Sequence, residues 1–119
     1  MGKNVLIVDD SPIIHNILRR TLEKLGYVAI GDAKNGKEAI DMYKELNPDI
    51  VFMDITMPVM DGIEAARNIR QINPDAKIIM LSAMGDDEII SQAKEIGVFE
   101  FLKKPFDEAL VRSVLSTIV

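Results

Sequence analysis

Short, mostly apolar runs alternate with longer amphipathic segments along this chain. Runs of four such residues, bounded by polar or turn residues, are typical of strands that are buried in a parallel sheet. A weaker strand is predicted at residues 28–30, where polar flanks and Gly31 suit the edge of a sheet. The four stronger runs are residues 5–8 (VLIV), 50–53 (IVFM), 78–81 (IIML) and 99–102 (FEFL).

The segments between the strands have the period of amphipathic helices. The first helix is predicted over residues 12–25, with Ser11 as its N-cap and Pro12 at its first position. The last helix is predicted to begin at Asp107, another good N-cap residue. The first helix has an apolar stripe of Ile13, Ile14, Ile17, Leu18, Leu22 and Leu25, and the last carries Leu110, Val111, Val114, Leu115 and Ile118.

Glycine and proline mark the predicted ends of the helices. Gly26 and Gly97 stand where a left-handed residue commonly closes a helix. Asn47-Pro48 and Asn73-Pro74 end the second and third helices, because proline cannot continue them. The alternation of strand and helix, with short connections, predicts an α/β fold in one domain over residues 1–119. Its sheet should be doubly wound, with right-handed crossovers.

The composition narrows the class of protein. A chain of 119 residues with 48% hydrophobic content fills one core, and a formal charge of −5 without a broad basic face argues against nucleic acid as a partner. There is no cysteine, which excludes disulfides and thiolate chemistry. No stretch has the length of a transmembrane helix, and the N-terminus does not have the pattern of a signal peptide. We therefore expect a cytoplasmic protein with no membrane partner.

Five polar residues closely follow the predicted strands: Asp9, Asp10, Asp54, Ser82 and Lys104. In an open parallel sheet, ligands bind beyond the carboxyl ends of the strands, so we expect these residues to converge on one pocket. Three carboxylates this close repel one another unless a cation joins them, and their oxygen atoms suit a hard divalent ion. The sequence therefore predicts a Mg²⁺ site, with Mn²⁺ as the alternative ion.

The same residue types suit phosphoryl transfer. Asp54 is the predicted nucleophile, because a carboxylate can attack phosphorus and become an aspartyl phosphate. Lys104 would neutralise one oxygen of the transferred group, Ser82 would donate a hydrogen bond to another, and the metal would hold a third. Lys104 precedes Pro105, and a cis peptide bond at such a position can turn the lysine inward.

Each of these residues also has an ordinary structural interpretation. Asp10 stands before Ser11-Pro12 and would suit a helix cap, Asp54 alone would suit a turn, and Lys104 alone would suit solvent. Their joint placement at strand ends favours the phosphoacceptor site. His15, the one histidine of the chain, is expected on the surface and not as a ligand.

The chain resembles the receiver domains of two-component response regulators, and most of all the single-domain chemotaxis type. The resemblance covers the whole chain and implies a flavodoxin-like sandwich of five βα units with strand order 2-1-3-4-5. Each matching segment is common by itself, but the four in this order and spacing are specific. They are residues 5–10 (VLIVDD), 54–58 (DITMP) with Asp61-Gly62, 81–83 (LSA) and 103–106 (KKPF).

The resemblance also implies how the acid cluster works. Asp54 is the phosphoacceptor. Asp10, Asp54 and the backbone carbonyl of Thr56 bind Mg²⁺ directly, and Asp9 binds it through water.

Further residues are implied to respond to the phosphoryl group. Ser82 and Phe101 form the switch pair, although many relatives have tyrosine at the position of Phe101, whose hydroxyl this chain therefore lacks. Thr56 and Met84 tune how easily water attacks the phosphoryl group. Because Met84 is bulky and cannot orient water, we expect a moderately long-lived phosphoryl group.

Partners follow from the same resemblance. The phosphoryl donor is a histidine kinase or a phosphotransfer protein, and the receiver itself catalyses the transfer and a slow autodephosphorylation, so it is not an enzyme in the usual sense. We expect a monomer whose output goes through a protein target such as the flagellar motor switch, or else a receiver domain excised from a larger regulator. The usual docking face would include Ile89, Ile90, Lys94, Phe101, Lys103 and the exposed side of the last helix.

Three other functions suit parts of the pattern. A Mg²⁺-dependent phosphohydrolase of the haloacid-dehalogenase type would need a second aspartate at the position of Thr56. A flavin or nucleotide binder would place a phosphate beside Asp9 and Asp10, which repel it, and no glycine-rich phosphate loop occurs. A protein that only docks partners would not need Asp10, Asp54 and Lys104.

Overall fold

Strands and helices alternate strictly through the part of the chain that the structure describes. The computed structural model describes residues 3–83 and 87–118, and none of its helices is long and apolar enough to cross a membrane. The strands are β1 (Asn4–Val8), β2 (Val28–Ala33), β3 (Ile50–Asp54), β4 (Lys77–Ser82) and β5 (Glu100–Lys103). The helices are α1 (Pro12–Lys24), α2 (Gly36–Leu46), α3 (Gly62–Ile72), α4 (Asp87–Ile96) and α5 (Glu108–Ser116).

The strands form one parallel sheet in the order β2-β1-β3-β4-β5, which confirms the predicted topology. In this register Asp54 is level with Leu81, and Ser82 is level with Lys103. The carboxyl ends of the strands therefore lie side by side at one end of the sheet. Side chains that follow different strands meet there, which is the usual place for a ligand in this architecture.

Two apolar cores lie on the two faces of the sheet, because neighbouring residues of a strand point to opposite faces. In β3, Phe52 packs in the core shared with α1 and α5, whereas Val51 and Met53 pack in the core shared with α2, α3 and α4. Since helices cover both faces, the central strands are apolar except at their ends. This is why they stand out in the sequence as continuous runs.

Two strand boundaries differ from the predicted ones. β2 lies at the edge of the sheet, as predicted, but it extends to Ala33 because its pairing with β1 continues past an irregularity between Val5 and Leu6. β5 begins one residue later than the apolar run, because its pairing with β4 extends from Glu100 to Lys103. Lys104 therefore follows β5 directly.

The predicted helix caps and ends are confirmed. Ser11 and Asp107 cap α1 and α5 through their side chains, each accepting a hydrogen bond from a backbone N–H of the first turn. Gly26 and Gly97 have φ angles of +92° and +95°, a conformation that costs glycine little. Asn47 closes α2 in the left-handed conformation, with φ of +46°.

The apolar stripe predicted for α1 is partly wrong. Leu18 and Leu22 are fully buried, but Ile13 and Ile17 are 68% and 44% exposed. His15, expected on the surface, is buried instead. It precedes Leu18 and Leu22 by three and seven residues and so lies on the same face of the helix. Because α1 contacts the sheet along this line, the two isoleucines remain on its outer flank.

Candidate functional site

The carboxyl ends of four strands bring the predicted site residues together. Asp9 follows β1, Asp54 and Ser82 end β3 and β4, and Lys104 follows β5. The first three are buried, whereas Asp10 is exposed. Asp9, Asp10 and Asp54 each place one carboxylate oxygen within 4.8 Å of the others. The acid cluster expected from the sequence is therefore a spatial cluster in the fold.

Lys104 joins the two buried carboxylates. Its Nζ lies 3.1 Å from Oδ2 of Asp9 and 3.2 Å from Oδ1 of Asp54. The backbone N–H of Lys104 donates to the carbonyl of Ser82 at 2.7 Å, and the peptide bond between Lys104 and Pro105 is cis. One ammonium thus compensates part of the charge of two aspartates.

Electrostatics in the pocket work against a fully ionised Asp54. Burial, and then the negative charge of Asp9, raise the pKa of the Asp54 carboxyl, although Lys104 and the N–H of Ile55 act in the opposite direction. Burial lowers the pKa of Lys104, but its hydrogen bond to Asp9 and the charges of Asp54 and Asp9 outweigh burial and raise it. The pocket therefore favours an additional positive charge.

Backbone hydrogen bonds fix the buried carboxylates. The N–H of Ser11 donates to Oδ1 of Asp9 at 2.8 Å, and the N–H of Asp9 donates to the carbonyl of Ala33 at 3.0 Å. The N–H of Ile55 donates to Oδ1 of Asp54 at 2.9 Å. Because the donors are backbone N–H groups, these contacts orient both side chains without help from flexible side chains.

The connection between β3 and α3 packs tightly over the end of β3. The N–H of Gly62 donates to the carbonyl of Ile55 at 2.7 Å, and a Cβ added to Gly62 would lie 2.0 Å from the carbonyl oxygen of Asp54. Any other residue at position 62 would force this connection to move. Val59 has φ of +69°, which is rare for a β-branched residue and is a form of strain that concentrates at functional sites.

Comparison with known proteins decides the family. The sequence profile of the response regulator receiver domain matches residues 5–116. The chain belongs to the response regulator receiver family. It is 48% identical to the chemotaxis protein CheY of Thermotoga maritima, over 99% of this chain and 98% of that protein. It is 42% identical to the chemotaxis protein CheY of Halobacterium salinarum, over 100% of this chain and 98% of that protein.

A solved structure supports the same assignment. The CheX–CheY–BeF₃–Mg²⁺ complex from Borrelia burgdorferi matches with a TM-score of 0.92 and 38% identity, covering 98% of this chain and 88% of that chain. The chain is thus a CheY-like receiver domain, a phosphoacceptor of two-component signalling whose relatives act in chemotaxis.

The donor set of this receiver domain fits a hard divalent cation. Asp9, Asp10 and Asp54 offer carboxylate oxygens, the ligand type that Mg²⁺ prefers. Lys104 contributes one positive charge against three negative ones, so the pocket remains suited to a cation. Receiver domains generally use Mg²⁺, in agreement with this donor set.

A polar network that was not predicted from the sequence lies beside the acid cluster. Nδ1 of His15 lies 2.9 Å from Oδ1 of Asp32, Nε2 bonds to the carbonyl oxygen of Asp9, and Arg19 pairs with Oδ2 of Asp32. The surface placement expected for His15 is wrong because these partners satisfy a ring that would otherwise be costly to bury. The spacing of His15 from Leu18 was the signal available in the sequence.

The remaining predicted residues lie around the pocket and on the face of β5. Thr56 is exposed just beyond β3. Phe101 is half-buried against the core under α2, α3 and α4, and Lys103 is exposed. Met84 lies outside the described residues.

Proposed function

We propose that Asp54 is the phosphoacceptor of this receiver domain. The observation that carries this proposal is the buried position of its carboxylate at the end of β3, beside Asp9 and Asp10 and 3.2 Å from Nζ of Lys104. Two N–H groups of the described residues donate to Asp54, and both bond to Oδ1. Oδ2 is therefore the oxygen that we expect to attack phosphorus.

Asp54 would act as the nucleophile toward a phosphorylated histidine. Oδ2 forms a bond to phosphorus while the bond between phosphorus and the imidazole nitrogen of the donor breaks, and the electron pair of that bond leaves with the imidazole. Lys104 then pairs with one oxygen of the transferred group, and the hydroxyl of Ser82 donates to another. Groups that are already oriented before the reaction stabilise charge most effectively.

Asp10, Asp54 and the backbone carbonyl of Thr56 are the proposed direct ligands of Mg²⁺, and Asp9 is proposed to bind it through water. Mn²⁺ is the alternative ion. Asp9 is completely buried and already bonded to Ser11 and Lys104, which suits an indirect role. Asp10 is exposed, which suits direct binding of an ion that arrives from solvent. When bound, the ion supplies positive charge between the carboxylate and the incoming phosphoryl group.

Ser82 and Phe101 are the proposed switch pair. Ser82 ends β4, and Phe101 lies on the neighbouring strand, level with Met80. A hydroxyl drawn toward the phosphoryl group would let Phe101 pack further inward, and the half-buried ring still has exposed surface that such a change would bury. Thr56 and Met84 are proposed to set the rate at which water attacks the phosphoryl group.

We further propose a histidine kinase or a phosphotransfer protein as donor, and a protein target on the face formed by α4, β5 and α5. Relatives named for chemotaxis make a chemotaxis output the favoured one, with the flagellar motor switch as a candidate target. The Borrelia burgdorferi relative was crystallised with CheX, BeF₃ and Mg²⁺. A partner of that kind is a second candidate for this chain.

Phosphorylation by a small-molecule donor tests the acceptor assignment. The protein is incubated with acetyl phosphate and Mg²⁺, and its intact mass is measured. We expect the addition of one phosphoryl group in the parent, loss of that addition in Asp54→Asn, and its loss in EDTA.

Asp61→Asn is the matched control. Asp61 is exposed and caps α3 by accepting from the N–H of Glu64 at 2.9 Å, a role that asparagine also fills. Asp61→Asn should therefore be phosphorylated like the parent. If Asp54→Asn retained the full mass increase, Asp54 would not be the acceptor.

A further inference from the structure

His15 is buried at the junction of α1, β1 and β2, outside the set of residues that the proposed chemistry uses. Its Nε2 bonds to the backbone carbonyl of Asp9. A carbonyl oxygen can only accept, so Nε2 carries a hydrogen and donates it. The contact joins the ring to the main chain of a residue whose side chain lines the acid cluster.

Two further residues hold the ring in this orientation. Oδ1 of Asp32 faces Nδ1 of His15 at 2.9 Å, and Oδ2 of Asp32 pairs with Arg19. Arg19 also donates to the carbonyl of Ala29 at 3.2 Å, which ties this network to β2. The ring therefore has one partner on each side and little freedom to turn.

The orientation of the Asp9 carboxylate depends on the position of its main chain, because the side chain is buried and has little freedom to adjust. Its two carboxylate oxygens are committed separately, Oδ1 to the N–H of Ser11 and Oδ2 to Lys104. Its own N–H is bonded to Ala33, so the carbonyl held by His15 completes the fixation of this residue. A change in the peptide after Asp9 would displace Asp10 as well, because that peptide joins them.

We infer that His15 is a positioning residue for the acid cluster: by donating from Nε2 to the carbonyl of Asp9, it fixes the Asp9–Asp10 peptide and so preorganises the metal site. This inference rests on the proposed function, since it assigns to His15 an effect on the Mg²⁺ site proposed above.

Two isosteric substitutions separate the contact to Asp9 from the contact to Asp32. The side-chain amide of glutamine can take the place of Nε2, and that of asparagine can take the place of Nδ1. His15→Gln thus keeps a donor for Asp9, whereas His15→Asn keeps only a group that faces Asp32. Leu22→Val, in a fully buried position of the same helix, is the control for a loss of general stability.

The first measurement is Mg²⁺ binding by calorimetry. We expect His15→Asn to weaken Mg²⁺ binding roughly tenfold, the lower end of the effect of residues that orient metal ligands. His15→Gln should recover most of the affinity, and Leu22→Val should lower the melting temperature with an unchanged dissociation constant. Equal affinities for His15→Asn and the parent would overturn the inference.

The second measurement is amide hydrogen exchange in EDTA, which needs no metal. In His15→Asn the amides of Asp9, Asp10 and Ser11 should exchange faster relative to those of β4, and His15→Gln should reverse this. Unchanged exchange would overturn the inference even if the affinity fell. If the parent did not bind Mg²⁺ at all, the metal part of the proposed function would fail, and the exchange data would still decide whether His15 fixes Asp9.

A third variant, Asp32→Asn, tests the inference if His15→Asn does not fold. Asp32→Asn keeps the shape of the side chain but weakens its hold on both His15 and Arg19. It should produce a smaller local increase in exchange and a smaller loss of Mg²⁺ affinity than His15→Asn, because Nε2 can still reach Asp9. Parent-like exchange and affinity in Asp32→Asn, together with a His15→Asn that does not fold, would mean that His15 acts only in folding.

Discussion

The ammonium of Lys104 lies 3.2 Å from the carboxylate of Asp54, although 50 residues separate them in the chain. The contact exists because β5 and β3 end at the same end of the sheet, and Lys104 follows β5 directly. The same ammonium contacts Asp9 at 3.1 Å. Before any phosphoryl group arrives, Lys104 therefore balances part of the charge of Asp9 and Asp54.

Replacing Lys104 by methionine should destabilise the metal-free protein. Asp9 and Asp54 would lose their common partner, and a buried polar group left without its partner costs about 1–3 kcal/mol. Chemical denaturation in EDTA measures the loss. Adding Asp54→Asn should restore part of the stability, because one unpaired charge disappears, and simple additivity of the two changes would argue against their direct contact.

Asp54→Asn should stabilise the metal-free protein near neutral pH. Burial and the charge of Asp9 raise the pKa of Asp54 in the folded state above the ordinary value of 3.8. The folded state then binds the proton more readily than the unfolded state. The stability that this contributes is complete below pH 3.8 and is lost as the pH rises through the raised pKa.

Denaturation curves of the parent and Asp54→Asn across acidic and neutral pH check this sign. The variant lacks the titrating group, so the parent should lose stability relative to it as the pH rises through that window. A parent that gained stability relative to Asp54→Asn over the same window would show that Lys104 outweighs burial and Asp9.

Asp10→Asn should raise the stability in EDTA slightly, because it removes one of three carboxylates that lie close together, and the exposure of Asp10 keeps the effect small. It should nevertheless reduce the stabilisation that Mg²⁺ gives the parent, since an ion that binds only the folded state stabilises by mass action. Thermal melts with EDTA and with excess Mg²⁺ measure both effects. A Mg²⁺ response as large as that of the parent would exclude Asp10 as a ligand.

Ser82→Ala should separate phosphorylation from signalling. Asp54 and Lys104 remain in place, so acetyl phosphate should still add one phosphoryl group. The affinity of the phosphorylated variant for a target on the α4, β5 and α5 face should fall, because the variant lacks the hydroxyl that we propose to sense the phosphoryl group. Binding to a candidate target with and without beryllium fluoride, which resembles a phosphoryl group, is the measurement. Parent-like gain of affinity in the variant would rule out the switch role.

The convergence of Asp9, Asp54, Ser82 and Lys104 could be predicted from the sequence because parallel strands with helical crossovers leave no other place for their carboxyl ends. Helix caps such as Ser11 were predictable because they depend on neighbouring residues alone. These features need only local patterns and the topology of the sheet.

The environment of α1 could not be predicted in the same way. Its isoleucines, Ile13 and Ile17, make the apolar stripe wider than the contact with the sheet, so the sequence does not say which edge of the stripe is buried. Placing His15 also requires knowing that Asp32 and the carbonyl of Asp9 lie opposite it, and Asp32 belongs to the edge strand whose extent was underestimated. Partners on other strands, and not the helix itself, make that burial favourable.

Gly62→Ala should impair phosphorylation by displacing the connection between β3 and α3. The added Cβ would lie 2.0 Å from the carbonyl oxygen of Asp54, and backbone atoms cannot yield at small cost. Gly26→Ala is the matched control: Gly26 has φ of +92° and no heavy atom within 4 Å of an added Cβ, so that change costs only about 1–2 kcal/mol of conformational energy. Both variants should melt below the parent, but only Gly62→Ala should slow the reaction with acetyl phosphate at saturating Mg²⁺. Equal rates in the two variants would show that the packing of Gly62 against Asp54 serves stability alone.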